Sequence, residues 1–109
     1  MTIDFESVDK TGNWMACAIM VSSYPIGDVL EMKEFVCERT LSMYDAQTLA
    51  FWKRHDNAHK QLRKQGKGRG VLKEELAICT YVTAVLEKYP KLFVVSDNPQ
   101  YDIRILDNM

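Results

Sequence analysis

Trp14-Met15-Ala16-Cys17-Ala18-Ile19-Met20-Val21 is an unbroken run of apolar residues bounded by turn-forming stretches. A half-exposed strand would alternate polar with apolar, so a continuous run predicts a strand covered on both faces. The run is too short to cross a bilayer. On either side of it the turn chemistry is plain. Val8-Asp9-Lys10-Thr11-Gly12-Asn13 carries the Gly and Asn that a hairpin needs, and Tyr24-Pro25-Ile26-Gly27-Asp28 predicts a second turn. The apolar run is thus the middle of an antiparallel meander, with Ile3–Ser7 before it and Val29–Cys37 after it. The last strand mixes Glu31, Lys33 and Glu34 with apolar residues, as an edge strand does to discourage further pairing.

Beyond the meander the pattern turns helical. Asp45 predicts an N-cap for a helix from Ala46 to about His55, with Leu49, Phe51 and Trp52 at helical spacing. Leu72 to Lys88 predicts the longest helix, with Leu72, Leu76, Cys79, Val82, Ala84 and Leu86 as its apolar positions, and Pro90 stops it. Leu92-Phe93-Val94-Val95 predicts a short buried strand, parallel to another because a helix leads into it. Asp97-Asn98-Pro99-Gln100 is a turn with N-cap character, and helical spacing resumes at Tyr101. The order β-β-β-α-α-β-α is a mixed α/β fold, and 109 residues support one domain, 1–109.

Charge narrows the function classes. The chain has net charge −1, so it has no overall attraction to nucleic acid or membrane, and any electrostatic footprint is local. Eight of its fourteen Lys and Arg fall between Lys53 and Lys73, with Asp56 the single acid there. That segment reads either as a solvated face or as a phosphate contact. Its Gly66-Lys67-Gly68-Arg69-Gly70 part reads as a flexible loop and lacks P-loop spacing. His55 and His59 read as surface residues of a helix. Cys17, Cys37 and Cys79 lie in apolar runs without metal-ligand spacing, which reads as buried, reduced thiols. An acidic strand follows Met1 directly, with no secretory signal, so a cytoplasmic or otherwise intracellular location is expected.

That acidic strand carries the candidate chemistry. In Ile3-Asp4-Phe5-Glu6-Ser7 the alternation puts Asp4 and Glu6 on one face and Ile3 and Phe5 on the other. Like charges 4 Å apart repel by about 4 kcal/mol at an effective dielectric of 20. Solvent, a basic partner or a bound cation offsets that. Asp102 falls on the first turn of the last helix. If the strand before it lies beside the first and parallel to it, Asp102 converges on Asp4 and Glu6 at the carboxyl end of the sheet. Three carboxylates form an oxygen-rich pocket for hard cations.

Asp4-Phe5-Glu6-Ser7 resembles the first motif, Asp-x-Glu-Thr, of the DEDD (DnaQ-like) 3′→5′ exonucleases. Asn98-Pro99-Gln100-Tyr101-Asp102 resembles their second, Asn-x-x-Phe/Tyr-Asp. Asp45 to Trp52 is similar to a Thr-[Leu/Ile]-x-x-[Phe/Trp]-Trp segment of a phage- and bacterium-associated branch. The resemblance implies a ribonuclease H-like fold, in which a three-strand meander is joined by a parallel strand and flanked by helices. It implies two Mg²⁺ or Mn²⁺ ions, with Asp4 bridging both, Glu6 on the ion that activates water and Asp102 on the other. It implies a DNA or RNA 3′ end as substrate, lying against Ser7 and the Phe5 and Val8 backbone, with Asn98 steadying the second motif. Trp52 reads as core or as a platform for a base. The family's third motif, a fourth acid preceded by a His or Tyr, has no match in the seven residues after Asp102. The expectation is therefore the N-terminal part of such a fold, completed by a second copy or another polypeptide. A non-catalytic nucleic-acid- or protein-binding module with the same fold is the alternative.

Overall fold

A computed structural model describes residues 1–23 and 27–109. Strands β1 (Thr2–Ser7), β2 (Trp14–Ser22) and β3 (Val29–Val36) form one antiparallel sheet in the order β1-β2-β3. Four helices follow: α1 (Ala46–Lys53), α2 (Asp56–Gly66), α3 (Val71–Lys88) and α4 (Pro99–Asp107). The fold is mixed α/β. None of the described helices is long and apolar enough to cross a membrane.

The first hairpin is built as expected. Gly12 takes a positive φ of 93°, and the Asp9 carboxylate accepts the Thr11 and Asn13 backbone N–H groups. Of the second turn, Tyr24, Pro25 and Ile26 lie outside the described residues; Ser23 and Asp28 beside them are joined by backbone N–H to carbonyl bonding at 2.8 Å. β2 departs from the expectation of two covered faces. Cys17, Ile19 and Val21 are buried, but Ala16, Ala18 and Met20 are only half-buried. The reason is that α3 and α4 supply core residues to one side alone: Ile78, Val82, Val85 and Ile105 pack with Ile3, Phe5, Cys17 and Ile19.

α3 is rotated from the expected face. Of the expected apolar positions Val82 is buried, but Leu72 is 82% and Leu76 68% exposed and Leu86 also points outward, while Ile78 and Val85 are buried in their place. Polar anchors set this rotation. Trp14 donates its indole N–H to Glu75 at 3.1 Å, and the Tyr81 and Tyr89 hydroxyls donate to the Glu31 carboxylate at 2.9 Å. Cys79, on the outer side, is half-buried and not buried like Cys17 and Cys37; all three thiols are free.

The basic segment is more ordered than its glycines predict. α1 ends at Lys53, and a second helix, α2, covers 56–66. His59 is a further correction: it is buried, its Nε2 bonded to the Tyr44 hydroxyl at 2.8 Å and its ring stacked on Trp52 at 5.0 Å. Burial, then the Arg63 charge, holds its pKa below the ordinary value. Gly66 closes α2 against the end of β3, where an added Cβ would lie 2.7 Å from the Cys37 carbonyl oxygen. The connection to α3 is then tied to β3 by the Glu38 N–H donating to Arg69 O at 2.9 Å.

Leu92–Val95 is not the expected buried strand. It makes a single parallel bridge, Thr2 with Val95. Ile3 donates its N–H to Val95 O at 3.2 Å, and Val95 donates to Met1 O at 2.8 Å. Phe93, Val94 and Val95 are exposed. The segment lies along the outer edge of β1, and no described element covers it.

Candidate metal centre

Alternation along β1 puts Ile3 and Phe5 into the core and leaves Asp4 exposed and Glu6 half-buried on the other face. α4 begins with Pro99 in its first turn, where a missing N–H costs nothing, and Asp102 follows within that turn. This brings Asp102 to the free edge of β1. It is only 3% exposed. Its Oδ1 accepts the Phe5 backbone N–H at 3.0 Å. Its Oδ2 accepts the Ser96 hydroxyl, whose oxygen in turn accepts the Asn98 N–H at 3.1 Å. Ile3, two residues before Phe5, gives its N–H to Val95. The Asp102 carboxylate therefore takes over the edge of β1 where backbone pairing stops.

Asp4 and Glu6 feel their acidic neighbours. Burial, and then the negative charges of Asp102 and Asp97, push the Asp4 carboxyl above its usual range. Glu6 is pushed up by burial and then by Asp4 and Asp102. The same charges act on Cys17, whose thiol is raised to about 12, mainly by burial. The charged neighbours that shift Asp4 and Glu6 are all acidic.

These acids fit a hard divalent cation in their donor chemistry, which is carboxylate oxygen alone. Among the described residues, no three ligating side chains are grouped tightly enough to grip an ion as they stand. Both oxygens of Asp102 are already engaged, by the Phe5 N–H and the Ser96 hydroxyl. Each carboxylate oxygen carries a second lone pair, so acceptor capacity remains.

Two hollows flank the acids. A groove of about 130 Å³ runs over Asp4, Glu6, Ala16, Ala18 and Glu34, with Leu62 of α2 at its side. Ala18 is paired between Asp4 and Glu34, so the floor between the two acids is a methyl group. A cavity of about 250 Å³ lies past the end of β1 and is lined by Phe5, Glu6, Ser7, Gln47, Thr48, Phe51, Trp52 and Tyr101. Glu6 borders both.

The structure thus fastens Asp102 to the backbone of β1 between Asp4 and Glu6, without gathering the three side chains into one ligating group among the described residues, and lines one cavity with Phe5, Glu6, Ser7 and Trp52. The Ser7 hydroxyl donates to Asp9 O at 2.8 Å. Asn98 does not line either hollow; its backbone oxygen accepts the Tyr101 and Asp102 N–H groups at 3.0 Å, and its side chain makes no capping bond. Trp52 is buried against His59, with its indole N–H unpartnered. The more exposed ring is Phe51, set edge-on to Trp52 at 5.0 Å. Gln47, Thr48, Phe51 and Tyr101 are the lining residues that sequence reasoning did not single out. The signal was present: Asp45 accepts the Thr48 N–H at 2.7 Å, and that cap fixes Thr48, Phe51 and Trp52 along one helical face. No family model, curated protein or solved structure matches the chain.

Proposed function

We propose that Asp4, Glu6 and Asp102 hold Mg²⁺ or Mn²⁺, and that the protein is a metal-dependent 3′→5′ exonuclease acting on DNA or RNA. The observation that carries the reading is the Asp102 carboxylate fastened to the Phe5 N–H, between the two acids of β1. The parallel bridge from Val95 to Thr2 supports the ribonuclease H-like arrangement with its fourth strand. Two bound ions would activate water and stabilise the leaving oxygen of a phosphodiester.

The protein's own residues do the rest. Asp4 and Glu6, whose carboxyls are raised, would hold the ions in their deprotonated form. Ser96 and the Phe5 N–H orient Asp102. The cavity beside Glu6 receives the terminal nucleotide, with Phe51 as the ring against the base and Ser7, Gln47 and Thr48 as polar neighbours. The reading requires a fourth acid and a water-positioning His or Tyr. His59 is bonded to Tyr44 and does not fill that role. A second copy or another polypeptide is the proposed source.

A second reading is favoured by the same Asp102 bonds. A carboxylate with both oxygens engaged serves as an edge cap for β1, and the fold is then a non-catalytic module that binds nucleic acid or protein. Calorimetric titration of Mn²⁺ into the wild type, Asp4→Ala and Asp102→Asn separates the two. The nuclease reading expects saturable binding that weakens at least tenfold in both variants; equal binding in all three ends it. Release of mononucleotides on adding Mg²⁺ to a labelled strand would exclude the non-catalytic module.

A further inference from the structure

Beside α2, Arg39, Arg63 and Lys67 line a cavity of about 260 Å³ together with Met15, Cys37 and Glu38. We propose that this cavity is a phosphate-binding pocket for the backbone of a single-stranded nucleic acid. Its geometry comes from residues other than the carboxylates, so it stands apart from the nuclease reading.

Three elements converge to make it. Arg39 leaves the end of β3 and donates its Nε–H to the Trp14 carbonyl at 2.8 Å, which anchors the guanidinium and leaves its outer nitrogens for a ligand. Arg63 and Lys67 sit one helical turn apart at the end of α2, on the same side. Gly66 between them lets α2 approach the Cys37 backbone closely enough for the two helix cations to share a cavity with Arg39. Like charges so placed repel, and among the described residues none of the three forms an ion pair.

The remaining walls offset only part of this charge. The Glu38 carboxylate, which also lines the cavity, accepts the Gly68 N–H at 3.0 Å and sets one negative charge against three positive ones. Cys37 donates its thiol to the Trp14 carbonyl, and burial pushes that thiol up to about 11, so it stays neutral. A water occupies about 30 Å³ of liquid, so the cavity holds a tetrahedral oxyanion with several waters. Two arginine forks and a lysine point charge are the donors such an oxyanion takes. The position suits a strand rather than a lone ion. Leu62 borders the acidic groove and Arg63, the next residue, lines the basic cavity, so the two hollows adjoin along α2.

The test is fluorescence anisotropy of a labelled single-stranded oligothymidylate in a chelating buffer, which keeps divalent ions from the carboxylates. Failure here therefore says nothing about ion binding, and the reverse. Arg63→Gln/Lys67→Gln is compared with Lys53→Gln/Lys64→Gln, an equal loss of charge from exposed positions outside the cavity. The pocket pair is expected to weaken binding at least tenfold. It is also expected to reduce the slope of log affinity against log salt by about 1.4, because two phosphates of a single strand are no longer neutralised. The control pair is expected to weaken binding less than threefold. A parallel titration with inorganic phosphate distinguishes the source of the anion. Selective loss of phosphate binding alone keeps the pocket but overturns the strand as its ligand. Equal weakening by the two pairs with both probes overturns the pocket.

Discussion

On the helix side of the sheet Ile3, Phe5, Cys17, Ile19 and Val21 are each 4% exposed or less, whereas on the other side Asp4 is exposed and Glu6, Ala16 and Ala18 are only half-covered. The two sides share the same strands, and in β1 they alternate residue by residue. The helix side is filled by α3 and α4, so each side chain there is fixed by its neighbours. The other side carries Asp4 and Glu6, whose carboxyls are raised by burial and then by acidic neighbours. One side is selected by packing, and its chemistry is interchangeable aliphatic bulk. The other is only partly covered and keeps groups whose charged form burial disfavours.

The sharpest way to break this comparison is to substitute adjacent residues. Phe5→Ala is expected to destabilise the fold by about 3–5 kcal/mol, and Asp4→Ala to change stability by less than about 0.5 kcal/mol, both read by urea unfolding. If the two cost the same, the sides are not distinct.

Asp102 belongs to both sides, and its variants separate its two roles. Asp102→Ala leaves the buried Phe5 N–H without an acceptor, an expected loss of about 1–3 kcal/mol. Asp102→Asn keeps an acceptor for that N–H, so most of the stability is retained while ion binding is lost. Unfolding curves for the pair, with and without Mn²⁺, check both parts.

The smallest expected effect is on pH dependence. Carboxyls raised in the folded state stabilise it at low pH, and that contribution is lost as pH rises from the ordinary values of 3.8 and 4.5 through the raised ones. Ion binding has the opposite sign, because the ligands must be deprotonated. Without metal, wild type is expected to lose stability relative to Asp4→Asn over that rise. With Mn²⁺ it is expected to gain. Unfolding across the carboxylate range in both buffers reads the crossover.

Much of this was legible from local pattern. Alternation in Ile3–Ser7 set the two faces, Asp45 announced α1, and the Asp97–Gln100 turn put Asp102 at the start of the last helix. What was not legible depended on tertiary partners. α3 carries apolar residues on more than one stripe, so spacing alone did not reveal that bonds through Glu75 and Tyr81 would turn Leu72 and Leu76 outward. His59 sits in a basic helix, and only Tyr44 and Trp52, from other elements, make its burial favourable. Leu92–Val95 has the composition of a buried strand, but burial requires a cover that no described element supplies. In the site, Asp4, Glu6 and Asp102 were readable because β periodicity and a helix start fix them, whereas Phe51 and Tyr101 needed α1 and α4 to be brought together.

Mn²⁺ line broadening of backbone amide NMR signals tests directly whether the acids form an ion site. Selective loss of the Phe5, Ala18 and Asp102 amides at substoichiometric Mn²⁺, with Thr80 and Thr83 on the outer side of α3 unaffected, is the expected result, and Asp4→Asn should abolish it. Uniform broadening, or broadening centred away from β1 and α4, would contradict an ion held by Asp4, Glu6 and Asp102.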